Sequence, residues 1–153
     1  MNSMAGRLKS QRGAELIEMA LVLPLLLLVL VGIADFGFLF QRYEVLTNAA
    51  REGARIAVLP AYTAADVQDR VCDYLIAGGV PTSAPCGAVG GNPVVTVTSV
   101  AITVPTGTIQ GRNVNVVYSH NFMFIGGIIG LVGGGTWTNT KAITLDATMR
   151  LEQ

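Results

Sequence analysis

The chain has 153 residues, of which 51 % are hydrophobic and only 13 % are charged, and its ten basic and ten acidic side chains cancel. This length leaves room for one domain of about 100 residues beside a membrane helix. The charge is also balanced beyond residue 40. A neutral chain lacks the basic surface of a nucleic-acid-binding protein, so nucleic acid is not an expected partner.

The N-terminal segment places three cations and two acids ahead of a long apolar run. These residues are Arg7, Lys9, Arg12, Glu15 and Glu18. The uncharged core, residues 19–34, covers about 24 Å, and its extension to residue 40 makes it long enough for a hydrocarbon layer of roughly 30 Å. We therefore expect one transmembrane helix over residues 14–40, with the basic residues 1–13 in the cytoplasm by the positive-inside rule.

A cleaved signal peptide is the alternative for this segment. Residues 20–31 fit its apolar core, and Gly32 and Ala34 supply the small residues that a signal peptidase requires. Glu15 and Glu18 count against it, because a signal peptide has no use for acids between its basic and apolar parts. Cleavage after Ala34 would leave a secreted soluble domain.

Residues 12–18, RGAELIE, resemble a type IV prepilin processing site, in which a basic leader ends in glycine and glutamate stands fifth after the cut. The continuation resembles, more narrowly, the TadE-like pseudopilins of tight-adherence (Flp) pilus systems. That resemblance rests on Pro24, Asp35-Phe36-Gly37, the run LTNAAREGAR at residues 46–55 and the C-terminal residues 147–152. The match is dense over residues 13–58 and thin in the middle of the chain.

The resemblance implies cleavage between Gly13 and Ala14 by a prepilin peptidase, which leaves Ala14 as the new N-terminus. It also implies that Glu18 pairs with the N-terminal ammonium of a neighbouring subunit and sets the register of helix packing. An unpaired carboxylate in the apolar zone costs on the order of 2.5 kcal/mol or more, although solvation of Glu18 at the headgroup level is the alternative. Pro24 lacks an N–H, so we expect the helix to kink or loosen there.

Residues 41–58 continue the helix as a stem, which Pro60 is expected to end. Seven side chains recur in alternating steps of four and three and predict one contact stripe, with small residues in its later half. They are Phe36, Phe40, Tyr43, Thr47, Ala50, Ala54 and Ala57. A second helix is predicted over residues 64–77, capped by Thr63 together with Asp66.

Cys72 lies in the predicted second helix, and Cys86 lies in the glycine- and proline-rich loop after it. Outside the cytoplasm two cysteines readily form a disulfide, which here would close about 15 residues. Two thiols and one distant histidine do not make a zinc site. We expect a disulfide, and no metal or other cofactor.

Three strands are predicted after this loop, over residues 94–104, around 113–124 and around 143–151, each with one apolar face. In the first, the apolar side switches near Thr98 and Ser99, which predicts a β-bulge. One apolar face per strand is typical of an antiparallel sheet packed on a helix. The expected fold is α+β: a long transmembrane and stem helix, a second short helix, and a three- to four-stranded antiparallel sheet packed on the stem.

Residues 122–135, FMFIGGIIGLVGGG, are apolar but shorter than a membrane span. Many glycines weaken a helix, so we expect a long mobile connection between strands. Its large apolar residues, namely Phe122, Phe124, Ile128, Ile129 and Leu131, form a candidate contact to another subunit or to the membrane surface. Burial of this segment over the sheet edge is the alternative.

The sequence contains no catalytic set, because His120 is the only histidine and no serine lies in a nucleophile elbow. We expect no enzyme, but a minor pilin or pseudopilin that acts in assembly or initiation of a tight-adherence pilus by helix packing. It would be a single-pass protein of the bacterial inner membrane with a periplasmic TadE-like pilin domain, residues 41–153, and would be incorporated into the pilus. Expected partners are other pilins or pseudopilins, the prepilin peptidase, the inner-membrane assembly platform and membrane lipid. The alternative is a membrane-anchored periplasmic binding or scaffold protein that enters no filament.

Overall fold

The computed structural model describes residues 3–105, 107–127 and 139–151, and of residues 3–12 the backbone alone. Two helices are followed by three strands. They are α1 (Ser3–Ala57), α2 (Ala64–Ala77), β1 (Val94–Val104), β2 (Gly107–Asn121) and β3 (Thr140–Arg150). The predicted α+β fold with a stem helix is confirmed, and the described sheet is antiparallel and has three strands in the order β1-β2-β3.

Helix α1 is a single element of 55 residues that continues through Pro24. It ends at Ala57, three residues before Pro60, which cannot continue a helix. Among the described residues it is the one helix long and apolar enough to cross a membrane. This feature supports a membrane-anchored, single-pass protein.

Helix α2 begins with the predicted cap. The Thr63 hydroxyl accepts a hydrogen bond from the Asp66 N–H at 3.3 Å, and the Asp66 carboxylate accepts one from the Thr63 N–H at 2.7 Å. The two bonds satisfy backbone donors that the first turn of a helix leaves unpaired. Val67, Val71 and Leu75 are buried, so α2 packs its apolar face into the core.

The inner face of the sheet packs on the stem as predicted. The cross-strand pairs Val95↔Val116 and Val97↔Val114 join β1 to β2, and Val116↔Leu145 joins β2 to β3. These side chains belong to one hydrophobic core with residues of both helices. The core therefore lies between the sheet and the second half of α1.

The predicted β-bulge in β1 is wrong. The register of β1 against β2 is continuous from Val94↔Val117 to Val104↔Gly107. Beyond Thr98 the apolar side chain of Ile102 lies on the other face of the sheet, where it packs over Gly111. The side chains of β1 still alternate strictly between the two faces of the sheet. What changes along the strand is which residues pack on each face.

The predicted stripe on α1 is correct in its later half and wrong in its earlier half. Ala50, Ala54 and Ala57 are buried, whereas Phe36 and Phe40 are 50 % and 66 % exposed. A strict seven-residue repeat drifts around a straight helix by about 20° per repeat. The aromatic end of the stripe therefore lies at the border of the ectodomain contact, where Phe36 still meets Phe122 edge to face.

Candidate assembly surface and stem clamp

The stretch of α1 that follows Glu18, which we call the apolar half of α1, is uncharged and is exposed from residue 19 to residue 30. Every side chain from residue 14 to residue 30 is exposed, including Leu16 at 70 % and Leu21 at 74 %. A helix that is hydrophobic all round is stable in a membrane or among other helices, not in water. Lipid or neighbouring helices must therefore cover this part of the protein.

The residues of the predicted processing and register sites lie on this surface. Gly13 is half-buried, and Ala14, Glu18 and Pro24 are exposed. Ala14 and Glu18 are four residues apart, so they lie one turn apart on the same side of the helix. The arrangement leaves both accessible to a partner, while the cleavage, the pairing and the kink stay predictions.

The small residues of the run at 46–55 form the surface on which the ectodomain packs. Ala49 and Ala54 are fully buried. A Cβ atom placed on Gly53 would lie 2.6 Å from Val71 Cγ2 and 3.4 Å from Val114 Cγ1. Only glycine at this position lets α2 and β2 approach α1 this closely.

Glu52 joins the two helices through their polar side. Its carboxylate accepts hydrogen bonds from Arg55 at 2.8 and 2.9 Å and from Arg70 of α2 at 3.1 Å. The hydrogen bonds from Arg55 and then Arg70 lower the pKa of Glu52 to about 2, against the burial that raises it. The pair of Glu52 with Arg55 follows from their spacing, whereas the bridge to Arg70 depends on how the helices pack.

Asp35 is the buried acid of the stem. It is 1 % exposed, and its carboxylate accepts the backbone N–H groups of Met123, Phe124 and Ile125 at 3.2, 3.0 and 2.7 Å. Hydrogen bonds from three successive N–H groups are a strong way to satisfy a carboxylate away from water. Asp35 thus fixes the start of the glycine-rich segment on α1.

A second polar contact lies further along α1. Arg42 Nη1 donates to His120 Nδ1 at 2.8 Å, so the histidine accepts through that nitrogen, because a guanidinium has no acceptor. His120 also meets Phe122 edge to face, with ring centroids 5.0 Å apart. We call Asp35, Arg42, His120 and residues 122–125 the stem clamp.

A partly open cavity of about 50 Å³ lies against the stem clamp and is lined by Asp35, Arg42, His120 and their neighbours. Burial, and then the charge of Arg42, lower the pKa of the His120 imidazole, while Asp35 raises it. The neutral imidazole is the form that accepts the bond from Arg42. The clamp is therefore built for an uncharged histidine between an arginine and an aspartate.

The predicted interaction segment is described in part. Phe124 is 42 % exposed, and Phe122 is half-buried against Phe36, with ring centroids 6.3 Å apart. Ile128, Ile129 and Leu131 lie outside the described residues. Sequence reasoning missed that Asp35 holds this segment, although an acid at the end of an apolar helix is a signal that a partner is required.

The loop after α2 is tied back to that helix by a disulfide between Cys72 and Cys86, whose Cα atoms lie 6.2 Å apart. Cys72 is buried. A Cβ atom on Gly87, which has a positive φ of 83°, would lie 2.9 Å from Gln68 Cβ. The bond and this close approach position the loop on α2.

Residues 13–55 match the model of a protein family described as TadE-like protein. The resemblance stated from the sequence is confirmed over this segment, which lies wholly within α1 and extends from the predicted processing site through the small-residue run. No curated protein matches the chain, and no solved structure matches it.

Proposed function

Because its residues 13–55 are TadE-like, we propose that the protein is a minor pilin, or pseudopilin, that acts in assembly or initiation of a tight-adherence pilus. The observation that supports this most is the apolar half of α1, which is exposed on all sides and continues without a break into a folded domain. Such a helix is stable in a membrane and can exchange lipid for neighbouring helices while the domain stays folded.

The proposed mechanism starts with cleavage between Gly13 and Ala14 by a prepilin peptidase. The cut creates an ammonium group at Ala14, one turn from Glu18. When helices pack side by side, the carboxylate of Glu18 binds the ammonium of a neighbouring subunit. Away from water this pair forms in one relative position only, and it therefore sets the register of the helices.

The role is structural, in keeping with a TadE-like family of pilin components. We propose that the protein waits in the inner membrane with residues 1–13 in the cytoplasm and the ectodomain in the periplasm, and then enters the pilus. Its partners are other pilins or pseudopilins and the inner-membrane assembly platform. The exposed apolar half of α1 is the surface on which they meet.

The mature N-terminus tests the processing step. Mass spectrometry of the protein from cells with and without the prepilin peptidase should find Ala14 as the first residue only when the peptidase is present. A retained leader in peptidase-positive cells would contradict the pilin proposal and favour a membrane-anchored periplasmic scaffold. A chain that begins at Asp35 would instead show that a signal peptidase releases a soluble domain.

The register step is tested by Glu18→Gln, with Glu15→Gln as the matched control. Both residues are exposed on the same helix, but only Glu18 is one turn from Ala14. We expect Glu18→Gln to reduce the number of pili per cell, counted by electron microscopy, and Glu15→Gln to leave it near the wild-type value. Equal pilus numbers in both variants would remove the register role.

A further inference from the structure

The segment that follows β2, residues 122–127, packs beside α1 at the end of the predicted membrane span. It contacts the stem at Asp35. Asp35 lies about 10 Å from Arg42 along the helix axis. The stretch from Leu16 to Ala34, in which Glu18 is the one charged residue, covers roughly 28 Å, close to the roughly 30 Å of a hydrocarbon layer. Asp35 and the segment bound to it therefore lie at the boundary between hydrocarbon and headgroups.

The N–H groups of residues 122–125 and the carbonyl of Phe122 are hydrogen-bonded within the protein. Asp35 accepts the three N–H groups of residues 123–125. The Phe122 N–H donates to the Asn139 carbonyl at 3.1 Å, and Asn139 Nδ2 donates to the Phe122 carbonyl at 2.8 Å. Irregular backbone is tolerated at membrane depth only where its polar groups are satisfied in this way.

Two apolar side chains of the segment are exposed. Met123 is 69 % exposed and Phe124 is 42 % exposed. On the stem beside them, Phe36 and Phe38 are 50 % and 45 % exposed, and Phe36 meets Phe122 edge to face. These side chains continue the apolar surface of the membrane-spanning half of α1 without a polar interruption at Asp35, because that carboxylate is buried.

Two cations lie on the side of the segment away from the hydrocarbon. Arg42 follows Asp35 by two turns, and exposed Lys141 is paired in register with His120, the residue that Arg42 contacts. Cations next to an apolar insertion suit the anionic phosphates of lipid headgroups. This charge pattern favours lipid over a second copy of the chain as the occupant of the surface.

We propose that residues 122–125, held to the stem by Asp35, lie in the interface of the membrane that α1 crosses and insert Met123 and Phe124 among the lipids. Asp35 is a positioning residue, because it acts through the segment that it binds. The proposal rests on the membrane anchoring of α1 and not on filament assembly.

Quenching of a single tryptophan by brominated lipids tests the position of the segment. The full chain, with Trp137→Phe to remove the native indole, is reconstituted in vesicles of phosphatidylethanolamine and phosphatidylglycerol that contain lipids brominated either near the headgroup end or near the methyl end of the acyl chain. We expect Phe124→Trp to be quenched by the shallow bromine and Leu27→Trp by the deep one. Tyr62→Trp, beyond the far end of the stem, should be quenched by neither.

The outcomes separate this proposal from the proposed function. If the deep bromine does not quench Leu27→Trp, membrane anchoring fails, and both proposals fail with it. If Leu27→Trp is quenched but Phe124→Trp is not, only the docking of the segment is overturned. If the bromine does not quench Phe124→Trp and acrylamide, a quencher dissolved in the water, does not reach it either, a second subunit covers this residue instead of lipid.

Asp35→Ala tests the positioning role, with Glu44→Ala, an exposed acid of the same helix, as its control. We expect Asp35→Ala to abolish most of the shallow quenching of Phe124→Trp and to leave that of Leu27→Trp unchanged. Unchanged quenching at residue 124 would overturn the role of Asp35.

A second pair of variants does not depend on the folding of Asp35→Ala. Met123→Asp keeps the clamp but puts a charge on the inserted side chain, and it should also abolish the quenching at residue 124. Met149→Asp places the same charge on a partly exposed methionine of β3 and should not. Equal quenching in both variants would overturn the insertion.

Discussion

Arg42 Nη1 lies 2.8 Å from His120 Nδ1 and joins the stem to the central strand of the sheet, across 78 residues of sequence. The histidine must be neutral to accept this bond. Its neighbours include the charges of Arg42 and Asp35 on α1, and Lys141 on the adjacent strand. The contact therefore links the protonation of one side chain to the attachment of the ectodomain to the stem.

The stability of the ectodomain should fall in weak acid because of His120. Burial first, and Arg42 second, lower the pKa of this imidazole below its usual 6.5, so the unfolded chain takes up the proton before the folded one. The contribution is complete above about pH 6.5 and is lost as the pH falls through the lower pKa of the folded state. The midpoint temperature of thermal unfolding in detergent should decrease as the pH falls below about 6.5. In His120→Gln this midpoint should decrease less steeply with pH. Identical slopes would exclude His120 as the cause.

Gly53→Ala should destabilise the ectodomain. The new methyl group would lie 2.6 Å from Val71 Cγ2 in the core, and overpacking of this kind costs about 1–3 kcal/mol. Gly37→Ala is the matched control, because a Cβ atom there meets nothing within 4 Å and alanine is the better helix former by about 1 kcal/mol. In urea unfolding of the two variants, only Gly53→Ala should lower the free energy of unfolding of the ectodomain. A stable Gly53→Ala protein would show that α2 can move away from the stem.

Removal of the bond between Cys72 and Cys86 should lower the free energy of unfolding by about 3 kcal/mol, the loop-entropy estimate for a closed loop of this size. Replacement of both cysteines by serine avoids a free thiol. Denaturant unfolding of the variant should match that of the reduced wild type, and a reductant should not affect the variant further. Equal midpoints for the variant and the oxidised wild type would contradict the prediction.

Glu52→Gln should weaken the contact between α1 and α2 by no more than about 1 kcal/mol, because Arg55 and Arg70 are 63 % and 51 % exposed. Its effect should vanish in strong acid. The pKa of Glu52 is lowered from 4.5 to about 2, so the stabilisation is present above pH 4.5 and is lost as the pH falls towards 2. Glu44→Gln, on the exposed face of the same helix, should change little at any pH. A persistent Glu52→Gln effect in strong acid would point to packing instead of charge.

Local signals predicted the parts of the fold that local interactions determine. The cap at Thr63 and Asp66 depends on residues three apart, and the inner face of each strand follows from alternation along that strand. What covers a face is decided by distant residues, so the apolar switch in β1 predicts a bulge from the sequence alone although the register is continuous. Asp35 is the clearest case, since its partners lie up to 90 residues further along the chain and donate through backbone N–H groups that no side-chain pattern reveals.

The uninterrupted course of α1 has a geometric consequence. With no linker between the span and the ectodomain, the direction that the domain faces around the helix axis depends on how many residues separate Glu18 from Asp35. One inserted residue would rotate the domain by about 100° and shift it by about 1.5 Å. The azimuth of each subunit around its own axis is thus set by a count of residues, before any neighbour is bound.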